Sequence, residues 1–463
     1  MATATKFVFG VVNSAYTKGA IGTCLSNGTQ KTVALKKYGG SSNDFGGDPH
    51  VLALNKNVTI SGSTCYAGTV VSNYTYSTTP YIWARGEAVY GMYDGLTFGS
   101  PKKLAKSDNE TSFSTTNIWN ATNPYSLVMG TNYFYINDYD MHTANTGSIY
   151  QIKASDFTQK LEYYSLTDTN YQRCSCVALN EYNGMLLALF IRSSYDSNTN
   201  QFSYGNSTLV LLPKNETTTS AVTALASVNC TANASTITVS DNYVYVTSYG
   251  GVQTAGGNST SRIQVIQITQ SGSTYSMSVK KTISPTKLPS GTSYGQNGNF
   301  MGVEIVTGSD NNKYAVVLVA KYNSAWTQYQ YELVRTLESN LRAGNLNNPN
   351  YLYGTVGTPG ATWGLIKDKA TGELFLANGV GILKVNATTS TVSVTSITVA
   401  SDYAINSTTS GHVLNTVTYN AHVAVSKDGI TEICSIAEVP AGTVQTVIHP
   451  HLTREEIKLL RKQ

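Results

Sequence analysis

Charge is what this chain has least of. Only 13% of its 463 residues are Asp, Glu, Lys or Arg, about half the share of roughly 25% usual in a soluble domain. Solubility therefore has to come from neutral polar side chains. The 31 basic and 27 acidic residues leave a formal net charge of +4 and form no long run of either sign. That argues against a nucleic-acid surface, whose footprint is a clustered basic stripe. No stretch approaches the roughly 18 consecutive apolar residues of a membrane span, and FVFGVV at 7–12 is too short even for the core of a signal peptide. The expectation is a soluble chain with no membrane span, open to being the mature form of an exported one.

Metal-binding and catalytic signatures are also missing. The six cysteines, Cys24, Cys65, Cys174, Cys176, Cys230 and Cys434, show neither CxxC nor a Cys/His zinc pattern, so no thiolate metal site is expected. They permit 15 pairings, among which sequence cannot choose. Disulfides between neighbouring units and buried free thiols both stay open. There is no GxSxG, no phosphate-binding P-loop, no GxGxxG opening a helix, no HExxH and no EF-hand loop. With six histidines and few carboxylates in apolar settings, material for acid/base chemistry is thin. No cofactor is expected.

What the chain has instead is Ser, Thr, Asn, Gly and 32 tyrosines, a mixture that favours strands and turns over helices. The first inference is all-β. About a dozen N-x-S/T sequons, among them Asn27, Asn57, Asn73, Asn120, Asn206, Asn258 and Asn386, are compatible with an exported glycoprotein and demonstrate none.

The chain also repeats itself. TNYFYINDYD at 131–140 and DNYVYVTSYGG at 241–251 share a tyrosine pair followed by a β-branched residue. After them GSIYQIKASDF at 147–157 falls into step with SRIQVIQITQSG at 261–272. Each unit is an alternating strand, a loop and a second alternating strand, with one face turned to a core. Looser copies begin at KFVFGVVNSAY, GMLLALFIRSSY, KYAVVLVAKY, GELFLANGVG and AHVAVSKDG, and another runs from VTISGSTCYAG into EAVYGMYDG. About eight units result, one per roughly 55–60 residues.

A shorter strand precedes nearly every unit: DPHVLALN, NPYSLVMG, RCSCVALN, ASTITVSD, FMGVEIV, ATWGLI and GHVLNTV. With a trailing strand such as MSVKKTI, the unit reaches four strands. Four-stranded sheets repeated radially make a β-propeller. NYVYVTSYGG followed by SRIQVIQI resembles the YVTN family of propeller repeats, with Ser248 where that family has Asn and with longer loops. The resemblance implies a propeller of the kind found at cell surfaces and in surface layers.

The N-terminal strand KFVFGVV reads as the second of its sheet, with no inner strand before it. GHVLNTVTY at 411–419 is the candidate inner strand that would close the ring, giving seven blades; eight result if 411–448 form their own sheet. Residues 1–448 are thus expected to be one propeller domain. The last fifteen, HPHLTREEIKLLRKQ, change composition. Thr453 and Glu456 have capping-box spacing, and Ile457, Leu459 and Leu460 give a short apolar face, so 449–463 is expected to be a charged amphipathic helix that docks on a partner surface.

Inner strands of a propeller line its channel, so residues at matching places on them form a ring. His50 and His412 share the spelling His-Val-Leu, Tyr125 and Ser175 stand at the same place, Trp363 lies near it, and Asp48 is close by. Such a ring would bind a polar or sugar-like ligand by stacking and hydrogen bonding. Equally, His or Tyr at a strand entrance satisfies backbone groups and packs against the next blade. Tyr133, Tyr135, Tyr243 and Tyr245 are expected to wedge between adjacent blades with their hydroxyls reaching loops.

Three functional classes follow. The first is an exported or cell-surface propeller that binds a glycan or cell-wall component, or copies of itself, without catalysis. The second is a propeller enzyme, a lactonase-like hydrolase or a quinone-dependent dehydrogenase, with its site over the channel. The third is a subunit of an extracellular filament or surface layer.

Overall fold

In a computed structural model the backbone is described for the strands between Lys6 and Ala437. Side chains are described for most of residues 126–285, 299–319 and 332–346 and for parts of 365–395.

The chain opens with β1 (Lys6–Val12), β2 (Gly19–Leu25) and β3 (Gln30–Val33). Then come β4 (Asp48–Leu54), the hairpin of β5 (Val58–Ile60) and β6 (Ser63–Cys65), and β7 (Ala67–Tyr74), β8 (Gly86–Met92) and β9 (Lys102–Lys103). β10 (Leu127–Met129), β11 (Tyr133–Asn137), β12 (Thr146–Lys153) and β13 (Gln159–Thr167) follow. Next are β14 (Arg173–Tyr182), β15 (Met185–Asp196), β16 (Gln201–Leu212) and β17 (Ala226–Cys230). After them run β18 (Ala234–Ser240), β19 (Tyr243–Ser248), β20 (Arg262–Ser271) and β21 (Thr274–Ile283). β22 (Asn299–Thr307), β23 (Lys313–Tyr322), β24 (Tyr329–Leu337), the helix α1 (Glu338–Ala343) and β25 (Leu352–Val356) come next. β26 (Ala361–Thr362), β27 (Ile366–Lys367), β28 (Leu374–Ala377), β29 (Gly381–Asn386) and β30 (Ser393–Thr398) lead to β31 (Ala404–Ile405), β32 (His412–Val413), β33 (Asn420–Lys427) and β34 (Ile430–Ala437).

These strands form antiparallel up-and-down sheets. Six have four strands: β4-β7-β8-β9, β10 to β13, β14 to β17, β18 to β21, β22 to β25 and β27 to β30. A sheet of six runs β26-β34-β33-β1-β2-β3. The first strand of one sheet packs on the sheet before it: β14 on β10, β11 and β12; β18 on β14 and β15; β22 on β18 and β19. Sequential four-stranded sheets stacked face to face in chain order are a propeller-type arrangement.

Burial follows position in the sheet. Central β15, MLLALFIRSSYD, is buried on both faces over Leu186–Ile191, as a strand sandwiched between two neighbouring sheets must be. Outer β21 carries Lys280 and Lys281 and is mostly exposed, the charged dressing that keeps an unpaired strand edge from recruiting another chain. One core joins β14 to β16 with β18 to β20 through Leu187, Leu189, Leu211, Val244 and Ile266. The next joins β19 and β20 to β22 and β23 through Tyr245, Val265, Phe300 and Val317. At the β14–β15 turn Asn183 (φ 47°) and Gly184 (φ 75°) both take left-handed backbone, the conformation a two-residue hairpin needs and that Asn-Gly supplies.

Three placements differ from the sequence reading. β1 pairs with β2 on one side and with β33 on the other, Phe9 opposite Val423. The strand paired with β1 is therefore Asn420–Lys427 rather than the expected 411–419. NAHVAVSK alternates apolar residues and runs into β34, its hairpin partner over eight residues; of 411–419, His412 and Val413 form β32, paired with β31, and the other residues of that stretch lie outside the described ones. β1 is thus the fourth strand in its sheet order rather than the second. ATWGLI splits, β26 joining β34 while β27 opens the next four-stranded sheet. The helix α1 was not anticipated; its sequence ESNLRA places Glu338 and Arg342 four apart and ends on Gly344 at φ 85°, a left-handed C-terminal cap.

Cys174, Cys176 and Cys230 are free and buried. Cys24 and Cys434 lie on β2 and β34 with β33 and β1 between them. Three strand spacings are about 14 Å, beyond the roughly 7 Å between Cα atoms that a disulfide spans. The tail at 449–463, with Ile457, Leu459 and Leu460, lies outside the described residues.

Candidate functional site

The repeated tyrosines act as wedges, and the structure specifies what holds their hydroxyls. Tyr135 and Tyr245 are fully buried, each in a core shared with the following sheet. The Tyr245 hydroxyl donates to Glu338 Oε1 at 2.6 Å and accepts from Arg342 Nε at 3.2 Å. Arg342 also donates to Glu338 at 2.7 Å and to Asp241 at 2.9 Å, while Lys313 reaches Asp241 at 2.6 Å. Its guanidinium lies 4.2 Å from the ring of Tyr243. Burial, and then the Glu338 carboxylate, push the Tyr245 hydroxyl far above its ordinary value. The hydrogen bonds from Lys313 and Arg342 hold Asp241 below the usual carboxylate range.

Tyr135 is treated alike by another segment. Its ring meets Tyr163 edge-on with centroids 4.8 Å apart, and Gln151 Nε2 donates to its hydroxyl at 3.1 Å and to the Asn215 carbonyl at 3.2 Å. The Tyr163 hydroxyl donates to the Pro213 carbonyl at 2.5 Å and accepts from Asn215 N at 2.8 Å. Glu216 takes the N–H groups of Thr131 and Asn132. In both cases the connection between the third and fourth strands of the next sheet reaches back under the tyrosine pair: residues 213–217 for Tyr135, α1 for Tyr245.

At the opposite end of the sheets, where β14, β18 and β22 begin, lies a belt of buried neutral polar residues. Ser207 Oγ accepts the N–H of Ala234 at 3.0 Å, and Ser261 Oγ accepts that of Phe300 at 2.9 Å. A serine next to or on the third strand thus receives the first strand of the following sheet twice over. Asn137 does a related task one sheet earlier, accepting Ser126 N and donating to the Cys176 carbonyl, both at 2.7 Å. Two members of the belt are not spent. Asn233, 1% exposed with φ 57°, has no partner for its side-chain oxygen or nitrogen, and Asn299, 5% exposed, has none for Oδ1. An unmet buried polar group costs about 1–3 kcal/mol, so an added polar partner at these amides would be stabilising.

Of the residues expected to ring the channel, Asp48 and His50 lie on β4, opposite Tyr74 and Ser72. Ser175 lies on β14 and is buried. β4 and β14 each stand first in a four-stranded sheet. His412 does not share that position: it sits on β32 opposite Ile405, in a two-stranded sheet of its own. Tyr125 and Trp363 lie outside the described residues. Asn233 and Asn299 escaped sequence reasoning because Asn at a strand entrance looks like ordinary turn chemistry. No group of three His, Cys, Asp or Glu side chains that could hold a metal is present among the described residues, and no helix among them is long and apolar enough to cross a membrane.

No protein-family model and no curated protein matches the chain. Among solved structures it is similar to Drosophila Semaphorin 2a, with 10% identity, a TM-score of 0.39, and 81% of this chain and 72% of that one covered. It is also similar to an endo-arabinase from Bacteroides thetaiotaomicron, with 12% identity, a TM-score of 0.31 and coverage of 72% and 89%.

Proposed function

We propose that the chain is a seven-bladed propeller of the YVTN type, exported or displayed at a cell surface, that acts as a non-catalytic binding or assembly module. Seven sheets of at least four strands support the blade number, and pairing of β1 with β33 supports closure by the two termini. The observation that carries the binding reading is the amide of Asn299, its Oδ1 left unmatched at the end where the first strands begin. Amides offer hydrogen bonds to a neutral polar ligand such as a sugar, and they supply neither an acid nor a base at neutral pH. Of the described charged groups of that neighbourhood, Arg192 is paired with Asp168 at 2.6 Å.

The ligand class this favours is a glycan or cell-wall polysaccharide, with self-association into a filament or layer as the second reading, carried by the charged terminal segment. The test is a glycan and cell-wall binding screen on the full chain, with Asn299→Leu as control, alongside light scattering of the full chain and of one ending at residue 448. Binding that falls about tenfold or more in the variant supports the first reading. Concentration-dependent assembly lost on truncation supports the second. A monomer that binds no polysaccharide at any concentration would overturn both.

A further inference from the structure

We propose that Asn215 is the acceptor of an N-linked glycan and that Asn233 is not; this rests on the exported reading above. Both begin N-x-S/T sequons, Asn215-Glu216-Thr217 and Asn233-Ala234-Ser235, and a sequence scan treats them alike. The fold separates them. Asn215 is exposed in the connection between β16 and β17, whereas Asn233 is 1% exposed between two sheets. A branched sugar on Asn233 could not be accommodated without separating those sheets, because interiors are packed to crystal density.

Geometry at Asn215 also suits transfer. Thr217 donates to Asn215 Oδ1 twice, from its N–H at 3.0 Å and from its hydroxyl at 2.8 Å. Two donors on the amide oxygen draw electron density from it and make the Nδ2 protons more acidic. Among the described residues the amide nitrogen itself has no partner. The backbone around it is fastened by Tyr163, Gln151 and Lys160, the last donating to the Glu216 carbonyl at 2.6 Å, so the exposed Asn215 side chain is held on an ordered backbone.

The other sequons with described side chains fit less well. Asn206 and Asn229 are exposed but lie within β16 and β17, and Thr208, the hydroxyl residue of the first, is 7% exposed and occupied by Arg192 at 2.9 Å. Asn386 directs its Nδ2 toward Ser393 and Thr395. In the reaction, Nδ2 of Asn215 bonds to the anomeric carbon of a lipid-linked glycosyl diphosphate. The carbon–oxygen bond to the diphosphate breaks, the lipid diphosphate leaves, and one amide proton passes to a base on the transferase. The sugar then stands on the side of the sheets opposite the unmatched amides and leaves that end clear.

The full chain, secreted from a eukaryotic host behind a cleavable leader, is treated with peptide N-glycosidase in heavy-oxygen water and mapped by mass spectrometry. Because the leader forces export, the result is independent of where the chain resides naturally, which fractionation of the source cells answers separately. Labelled Asp at position 215 is expected, lost in Asn215→Gln and in Thr217→Ala and retained in Thr217→Ser, with position 233 unlabelled. An unlabelled position 215 in the secreted protein, or a labelled 233, overturns the assignment.

Discussion

At the level of single residues, the tyrosine pair shows how one spelling divides its labour. Tyr245 and Tyr243 share one face of the strand, as residues two apart must: Tyr245 is buried in the core, and Tyr243 lies half-buried against the same core under Arg342. Tyr245→Phe keeps the ring but takes away the only hydroxyl between Glu338 and Arg342, and Glu338 is itself 3% exposed. Losing a hydrogen bond to a buried charged group is expected to cost about 1–3 kcal/mol, read as a fall in the denaturation midpoint. Tyr243→Phe keeps the stacking surface and is expected to change stability by less than about 0.5 kcal/mol. Equal effects would mean that the network does not bear on stability. The alternation was readable in DNYVYVTS. The partners were not, because Glu338 and Arg342 lie 93 and 97 residues further along the chain.

Buried titrating groups at this scale also set a pH dependence. Desolvation pushes Cys230 from an ordinary 9.0 up to about 12 and raises Cys174 and Cys176 as well. The folded state therefore holds these protons after the unfolded chain has released them. Stability is fully present below pH about 9 and falls as pH rises from there toward 12, each such thiol adding a slope of roughly −1.4 kcal/mol per pH unit. Midpoints measured from pH 7 to 10.5 should be flat at first and then decline. Replacing Cys230 by Ala should shallow the decline, and an unchanged slope would remove that thiol from the account.

Between elements, the sheets are held together by two recurring devices at opposite ends. One is the connection between third and fourth strands that reaches back to the preceding tyrosine pair. The other is the serine that accepts a backbone N–H from the next sheet. Ser207→Ala and Ser261→Ala each leave a buried N–H, of Ala234 or Phe300, without its acceptor, at an expected cost of about 1–3 kcal/mol. Because the two serines sit in different sheet junctions, the double variant should lose nearly the sum, measured by chemical denaturation. A double variant no worse than either single one would show that the junctions do not act independently. Four-stranded units were legible because period-two alternation survives any loop length. These junction serines were not, since one Ser in a chain so rich in Ser looks like any other.

For the whole molecule, the deciding feature is where the two ends meet. Sequence pattern offered 411–419 as a candidate closing strand, giving seven blades, with eight if 411–448 form their own sheet; the structure instead pairs β1 with Asn420–Lys427. The pairing puts Val8 directly opposite Ala424, within the roughly 4.5–5.5 Å between facing Cα atoms of an antiparallel pair and hence within disulfide reach. Val8→Cys with Ala424→Cys should therefore cross-link under mild oxidation, detected as a joined peptide by mass spectrometry, and should raise the thermal midpoint by tying a loop of several hundred residues. Val8→Cys with His412→Cys should not cross-link. If the second pair forms and the first does not, His412 belongs on the inner strand after all and the ring of His50 and His412 returns as the site to test. If the first forms, the ends of the chain are one sheet, and ligand contacts should be sought among residues that open the sheets, Asp48 and Asn299 before any residue of the 411–417 segment.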